Sequence, residues 1–218
     1  MSRPVAVVVG AGPGVSGFVA KRWAREGYDI ALLGLDEEVL KALAAEIEPL
    51  GVNVGWNSTD IADEEALRAA VTRFGEYTGR IDVLHYNPST YREAGPLELT
   101  SAQLASDMQL GAGGILVALQ AAHPFMSAGG RVTATGSVAA DQPDPKAPSL
   151  GVQKAALRNL VRSIDGALKD SGIRAVSVTV HGVLSREGAF TPANVAEALY
   201  AAAHQDEDGW QTEVAYKG

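Results

Sequence analysis

The chain has 218 residues, 46% hydrophobic and 20% charged, and its 18 basic and 26 acidic side chains give a net charge of −8. That composition excludes a mostly disordered chain; the acidic balance, with no Lys/Arg cluster, argues against nucleic-acid partners; and the lack of cysteine excludes disulfides, thiolate zinc sites and cysteine nucleophiles. No apolar run approaches the ~18 residues of a membrane span, and the run after Met1-Ser2-Arg3-Pro4 is too short for a signal sequence, so no membrane partner and a cytoplasmic location are expected.

Short apolar runs alternate with helical spacing along the whole chain. Val5 to Val9 is a β-branched run of the kind buried on both faces of a sheet. A glycine cluster follows, then a helix over Val15 to Glu26 that Gly27 stops. Ile30 to Leu33 is a second strand, Glu37 to Ile47 a helix closed by Pro49 and Gly51, and Val52 to Trp56 a third strand. Asp63 is placed to cap a helix running to about Tyr77. Ile81 to His85 is a fourth strand. Thr100 and Gln103 have capping-box spacing and open one long helix to about Met126. Val132 to Thr135 is the fifth strand. A Pro-rich loop leads to a helix from Ser149 to Lys169, and Ala175 to Val180 is the sixth strand. Thr191-Pro192 opens a last helix, Ala193 to His204, before a short strand over Gln211 to Tyr216. This alternation predicts an α/β fold: a Rossmann-type, doubly wound parallel sheet of about seven strands with helices on both faces. No repeat or linker interrupts it, so residues 1–218 are read as a single domain.

The first strand runs into Gly10-Ala11-Gly12-Pro13-Gly14-Val15-Ser16-Gly17, four glycines in eight residues, and a helix follows. Glycines let the backbone turn tightly and approach a diphosphate, and the helix N-terminus offers free N–H groups to it. A lone Gly-x-Gly-x-x-Gly is weak, but its place after the first strand strengthens the dinucleotide reading.

With these features the chain resembles the short-chain dehydrogenase/reductase family over nearly its whole length. Gly10 and Gly14 match the first two glycines of the family's loop, while Val9 and Ser16 replace its threonine and third glycine. The resemblance implies that Gly10, Gly12, Pro13, Gly14 and Val15 border the cofactor, that Asp60 and Ile61 contact the adenine, and that Asn87 lines the site. It implies that Ser137 binds the substrate oxygen and that Lys154 holds the cofactor ribose.

The departures are equally specific. The family's tyrosine, one helical turn before the lysine, is Leu150 here, and no tyrosine lies between Tyr91 and Tyr200. The family's asparagines after the fourth strand become Tyr86-Asn87, and its helical asparagine matches Gln109. The segment His85-Tyr86-Asn87-Pro88-Ser89, with the missing tyrosine, is similar to a diverged branch of the family. Tyr86 is the candidate substitute for proton transfer, with Tyr91, His85 and His181 behind it; either histidine could titrate near neutral pH. The four histidines are not spaced for a metal, and none is expected. Asp36, at the end of the second strand, can face the adenosine ribose or cap a helix. With no arginine beside it, the cofactor expected is NAD(H) or NADP(H), with NAD favoured. The stretch 181–191 is a shortened substrate lid.

These features point to an NAD(P)-dependent oxidoreductase acting on a small carbonyl or alcohol with an altered proton relay. The alternatives are a dinucleotide-binding homologue with a regulatory or scaffold role, and a non-redox isomerase, lyase or cyclase. The resemblance also implies a homodimer or homotetramer.

Overall fold

The structure, a computed structural model, describes residues 3–218. Its seven strands are β1 (Val5–Val9), β2 (Asp29–Gly34), β3 (Val54–Ser58), β4 (Val83–Tyr86), β5 (Arg131–Ser137), β6 (Arg174–Val180) and β7 (Glu213–Tyr216). They form one sheet in the order β3-β2-β1-β4-β5-β6-β7, with every neighbouring pair parallel. Parallel neighbours need crossovers, and these are α1 (Val15–Arg25), α2 (Glu37–Ile47), α3 (Glu64–Thr78), α4 (Ser101–Met108), α5 (Gly114–Ala122), α6 (Pro148–Leu168) and α7 (Pro192–Ala203).

All five residues of β1 are buried, because helices cover both sides of the sheet. On one side Val7, Leu84 and Val132 meet Leu67 and Val71 of α3, Ile115 of α5 and Leu157 of α6. On the other, Val8, Leu32 and Val178 meet Val19 and Trp23 of α1, Leu40 of α2 and Leu199 of α7. The doubly wound expectation therefore holds.

Several boundaries differ from the sequence reading, among them β4, which runs Val83–Tyr86 instead of Ile81 to His85. β3 begins at Val54 instead of Val52, because Asn53 is held by Asp29 through both its backbone N–H (2.8 Å) and its side-chain amide (3.0 Å). β5 runs on to Ser137, in register with Val180. The expected single helix from Thr100 to Met126 is divided: the capping box at Thr100 forms as read, but a π-helical turn over Gln109–Gly113 separates α4 from α5. The Tyr86 hydroxyl reaches into that turn and donates to the Leu110 carbonyl at 2.6 Å. Gly114 leaves the space for it, since a Cβ there would overlap the hydroxyl.

The strand order reverses between β1 and β4, the two strands that leave the middle of the sheet for opposite edges. In an open α/β sheet the crevice outside the carboxyl ends at that point is where ligands bind.

Trp23 shows what holds the α1–α7 side together. It is 1% exposed and meets Tyr28 and Tyr200 edge-on, with ring centroids 4.8 and 4.9 Å away. Trp23→Ala is expected to cost about 3–5 kcal/mol of folding stability, measured as a lower urea midpoint with an unchanged slope.

Candidate active site

The loop after β1 is fixed by backbone bonds. The amides of Gly10 and Ala11 both donate to the Leu33 carbonyl at the end of β2, at 2.9 and 2.7 Å. Gly10 has φ +80°, and a Cβ there would lie 2.9 Å from Pro88 Cγ, so the loops after β1 and β4 pack together. Ser16, in place of the family's third glycine, is buried and accepts a hydrogen bond from the Gly12 amide at 3.1 Å. It therefore closes the loop from within.

Beyond that bond the loop is open. Nothing lies within 4 Å of where a Cβ would stand on Gly12 or Gly14, and Pro13 and Gly14 are exposed. Gly14 begins α1 with no side-chain cap, and the first turn holds no acid. The neighbouring helices α2 and α3 are instead capped by Asp36 and Asp63. The amides of Val15 and Ser16 have no carbonyl behind them in the helix and carry its positive end. An uncapped, acid-free, open helix start fits the diphosphate of a dinucleotide.

Around this cradle the structure distributes the other expected residues unevenly. The Asn87 amide donates to the Val9 carbonyl at 3.0 Å, tying the ends of β4 and β1. Asp60 is exposed and accepts from the Ala62 amide at 2.9 Å, whereas the Ile61 side chain is buried in the core beside α3. Asp36 accepts from the amides of Glu38 and Val39 at 2.9 and 3.1 Å. Of the two roles open to it, the helix cap is the one these bonds display.

Ser137 ends β5. Its Oγ accepts from the Ala139 amide at 3.2 Å, which leaves the hydroxyl proton available to another oxygen. Lys154 of α6 is 4% exposed, and its Nζ donates to the Thr135 carbonyl, two residues before Ser137, at 2.9 Å. Burial lowers its pKa to about 8. Leu150 stands one turn earlier on α6, half-buried and without a proton to exchange.

Two expectations are corrected. Tyr86 does not face the crevice: it is fully buried against Gly114, its hydroxyl is committed to Leu110, and burial raises its pKa well above the usual tyrosine value. His85 does not titrate near neutrality. It is fully buried with Nδ1 2.9 Å from Thr133 Oγ1, and burial, then the charge of Lys154, lowers its pKa to about 3. Gln109, matched to the family's asparagine, turns instead to Glu64 of α3 at 3.0 Å.

Sequence reasoning missed two anchors of the loop after β4. Gln153, fully buried beside Lys154, donates to the Thr90 carbonyl and accepts from the Thr90 amide, both at 3.1 Å. Arg92 makes a two-pronged bond to buried Asp107 of α4 at 2.9 and 2.7 Å, which lowers the carboxylate's pKa. The only signals were a Gln beside the matched lysine and an Arg and Asp 15 positions apart. Neither is a motif. Tyr91, on the same loop, is 59% exposed.

The stretch 181–191 is short and tied. Ser185 N–H donates to the Phe190 carbonyl, and the Asn194 amide donates to the Gly188 and Ala189 carbonyls. The Tyr216 hydroxyl also donates to Ala189. Val183 and Leu184 remain 88% and 49% exposed, and Leu184 lines a cavity of about 530 Å³ between this stretch and Phe18 of α1. A larger cavity of about 1060 Å³ lies at the far edge, between β3 and α3, and touches none of the residues above. The loop amides, Ser137 and Lys154 all lie at the carboxyl ends of the central strands β1 and β5, which makes that end of the sheet the candidate site.

The family model described as short chain dehydrogenase matches residues 4–191. Oxidoreductase asL5 of Sarocladium schorii is 31% identical over 176 residues, 80% of this chain and 70% of that protein. Oxidoreductase UcpA of Salmonella typhimurium is 29% identical over 181 residues, 82% of this chain and 68% of that protein. A short chain dehydrogenase from Burkholderia cenocepacia, solved in complex with NADP, superposes with a TM-score of 0.88 at 26% identity, covering 100% of this chain and 97% of that one. A metagenomic short-chain oxidoreductase, also in complex with NADP, gives 0.87 at 25% identity over 98% and 96%. This chain belongs to the short-chain dehydrogenase family.

Tyr86→Phe separates structure from chemistry here. It leaves the Leu110 carbonyl without its partner and is expected to cost about 1–3 kcal/mol of stability. The cofactor affinity is expected to stay within about twofold, read by urea unfolding beside calorimetric titration.

Proposed function

We propose that this chain is an NAD(P)-dependent oxidoreductase that interconverts a carbonyl and an alcohol, with a proton relay altered by Leu150. The observation that carries the reading is the uncapped start of α1 at the same carboxyl end of the parallel sheet as Ser137 and the buried Lys154. The nicotinamide, when bound, supplies or takes the hydride. Bare amides of the loop hold its diphosphate. The Ser137 hydroxyl donates to the substrate oxygen, and Lys154 holds the ribose. The open rim at Val183 and Leu184 suits a small or exposed carbonyl. No described helix is long and apolar enough to cross a membrane, in keeping with the proposed cytoplasmic location. Exposed Leu116 on α5 and Val152 on α6 support a homodimer or homotetramer packed through those helices, which light scattering would measure.

NAD(H) is the proposed cofactor. Leu35, beside the end of β2, is 72% exposed and brings no cation. Asp36, Glu37 and Glu38 follow, and Lys41 is held by both glutamates at 2.8 and 2.9 Å. An added 2′-phosphate would meet this acidic group. The neighbours solved with NADP differ in that choice on this reading. NADH is expected to bind about tenfold more tightly than NADPH, a gap of about 1.4 kcal/mol, in calorimetric titrations at one ionic strength.

The decisive experiment incubates the protein with NADH or NADPH and a panel of carbonyl compounds. Turnover above that of Lys154→Ala supports the reading, and its absence overturns it. Leu150 also motivates a second reading, a dinucleotide-binding homologue with a regulatory or scaffold role. That reading expects cofactor to raise the melting midpoint by mass action without turnover.

A further inference from the structure

We propose that Lys154 is itself the group that gives a proton to the substrate oxygen in reduction and takes it back in oxidation. The inference rests on the oxidoreductase reading and assigns the step that Leu150 cannot perform.

Elimination narrows the candidates. Tyr86 is sealed in the π-helical turn, His85 is buried and neutral, and Gln109 is bonded to Glu64. Ser137 can donate a hydrogen bond, but a hydroxyl of that type does not give up its proton near neutral pH. Tyr91, exposed on the loop after β4, and His181 are not engaged in these ways, but Lys154 is the group bonded to the strand end that carries Ser137, and its surroundings are unusual for an ammonium group. Of its three N–H groups, one reaches the Thr135 carbonyl. Among the described residues the other two have no acceptor.

Two polar side-chain atoms at this end of the sheet are buried without a partner among the described residues: Thr135 Oγ1, on the residue whose carbonyl holds Lys154, and His85 Nε2, on the adjoining strand, both on the face opposite α6. Such groups are normally satisfied by protein or by water.

No carboxylate neutralises the ammonium. From β4 neutral His85 lies within reach of its charge, and Arg131, at the far end of β5, bonds Glu207. From α4 comes Asp107, already paired with Arg92. On α6 itself Arg158 is paired with Asp141 and Glu213, and Asp165 with Arg174. Burial alone lowers the lysine pKa to about 8. An acid tuned close to the working pH is what proton transfer requires, and lysine, unlike arginine, shifts readily when buried.

The bonds balance. In reduction the carbonyl carbon takes a hydride, with its electron pair, from a reduced nicotinamide, and the π pair moves to the oxygen. One N–H bond of Lys154 breaks and an O–H bond forms. The carbonyl is reduced to an alcohol, the nicotinamide is oxidised, and the neutral amine regains a proton from water. Reduction needs the protonated lysine, so its rate falls as pH rises through about 8; oxidation needs the amine, so its rate rises over the same range.

The test has three readouts. In protein labelled with 13C-lysine, the Cε resonance missing from Lys154→Met is followed against pH. A midpoint near 8 is expected, and the ordinary lysine value of 10.5 overturns the proposal. The kcat/KM for reduction is expected to break at that same midpoint, and a flat profile across it overturns the proposal. Lys154→Arg keeps the charge but cannot release a proton. It is expected to lose about 10²–10⁴-fold in kcat with cofactor affinity within a few-fold, and a rate within tenfold of the parent overturns the proposal. Should Lys154→Arg fold poorly, Lys154→Ala supplemented with ethylamine replaces it, with recovery of rate expected and none overturning the proposal. Absence of turnover in the parent protein removes the oxidoreductase reading together with this one. Turnover with an undiminished Lys154→Arg removes this one alone.

Discussion

Two amides share one carbonyl. Gly10 and Ala11 both donate to the Leu33 oxygen, and with that fork the chain leaving β1 is pinned across the end of β2 before it enters α1. The positive φ at Gly10 follows from the pinning, as does the close approach of Pro88 from the loop after β4. The start of α1 is thereby held open beside the strand reversal, with no side chain drawn across it. The site on the β4–β5 side depends on the same frame, because Asn87 hangs from the Val9 carbonyl and Thr135 presents its own to Lys154.

The two halves of the crevice are built on different principles. The β1 side is backbone: amides, glycines and a helix end, with little charge. The β4–β5 side is side chain, and it is polar in a place that offers little compensation. Thr135 and His85 keep buried side-chain atoms with no partner among the described residues, and Lys154 is buried on a single backbone bond. Such groups cost stability, and a fold selected for stability alone would replace them with apolar ones. The second pair of anchors, Gln153 on Thr90 and Arg92 on Asp107, holds the loop after β4 rigid around this costly region.

Much of this was legible in the residues. The β-branched run Val5–Val9 and the glycines behind it announce a buried parallel strand and a phosphate-sized turn, because both depend on local pattern. Ser137 and Lys154 were legible through the family resemblance, and they lie within two residues of each other's contacts, through Thr135. Tyr86 was misread because a strand-end position says nothing about which way a side chain faces; the alternation along β4 sends it into the core beside Gly114. The π-helical turn was not read either: Leu110 and Ile115 stand five residues apart across it, a single lengthened step between apolar positions that otherwise keep helical spacing, as in Ile115 and Leu119. Asp36 could be read two ways, and only its bonds to Glu38 and Val39 distinguish them. Gln153 and Asp107 act through partners 63 and 15 residues away, a relation that no local pattern carries.

The stretch 181–191 has a mechanical consequence. Its carbonyls at Gly188, Ala189 and Phe190 are already engaged by Asn194, Tyr216 and Ser185. A rim bound so closely to its own base has little travel, so under the proposed function reactants would cross it with no hinge to unlock. On that reading a guest longer than the crevice is deep would protrude past exposed Val183 without forcing anything aside.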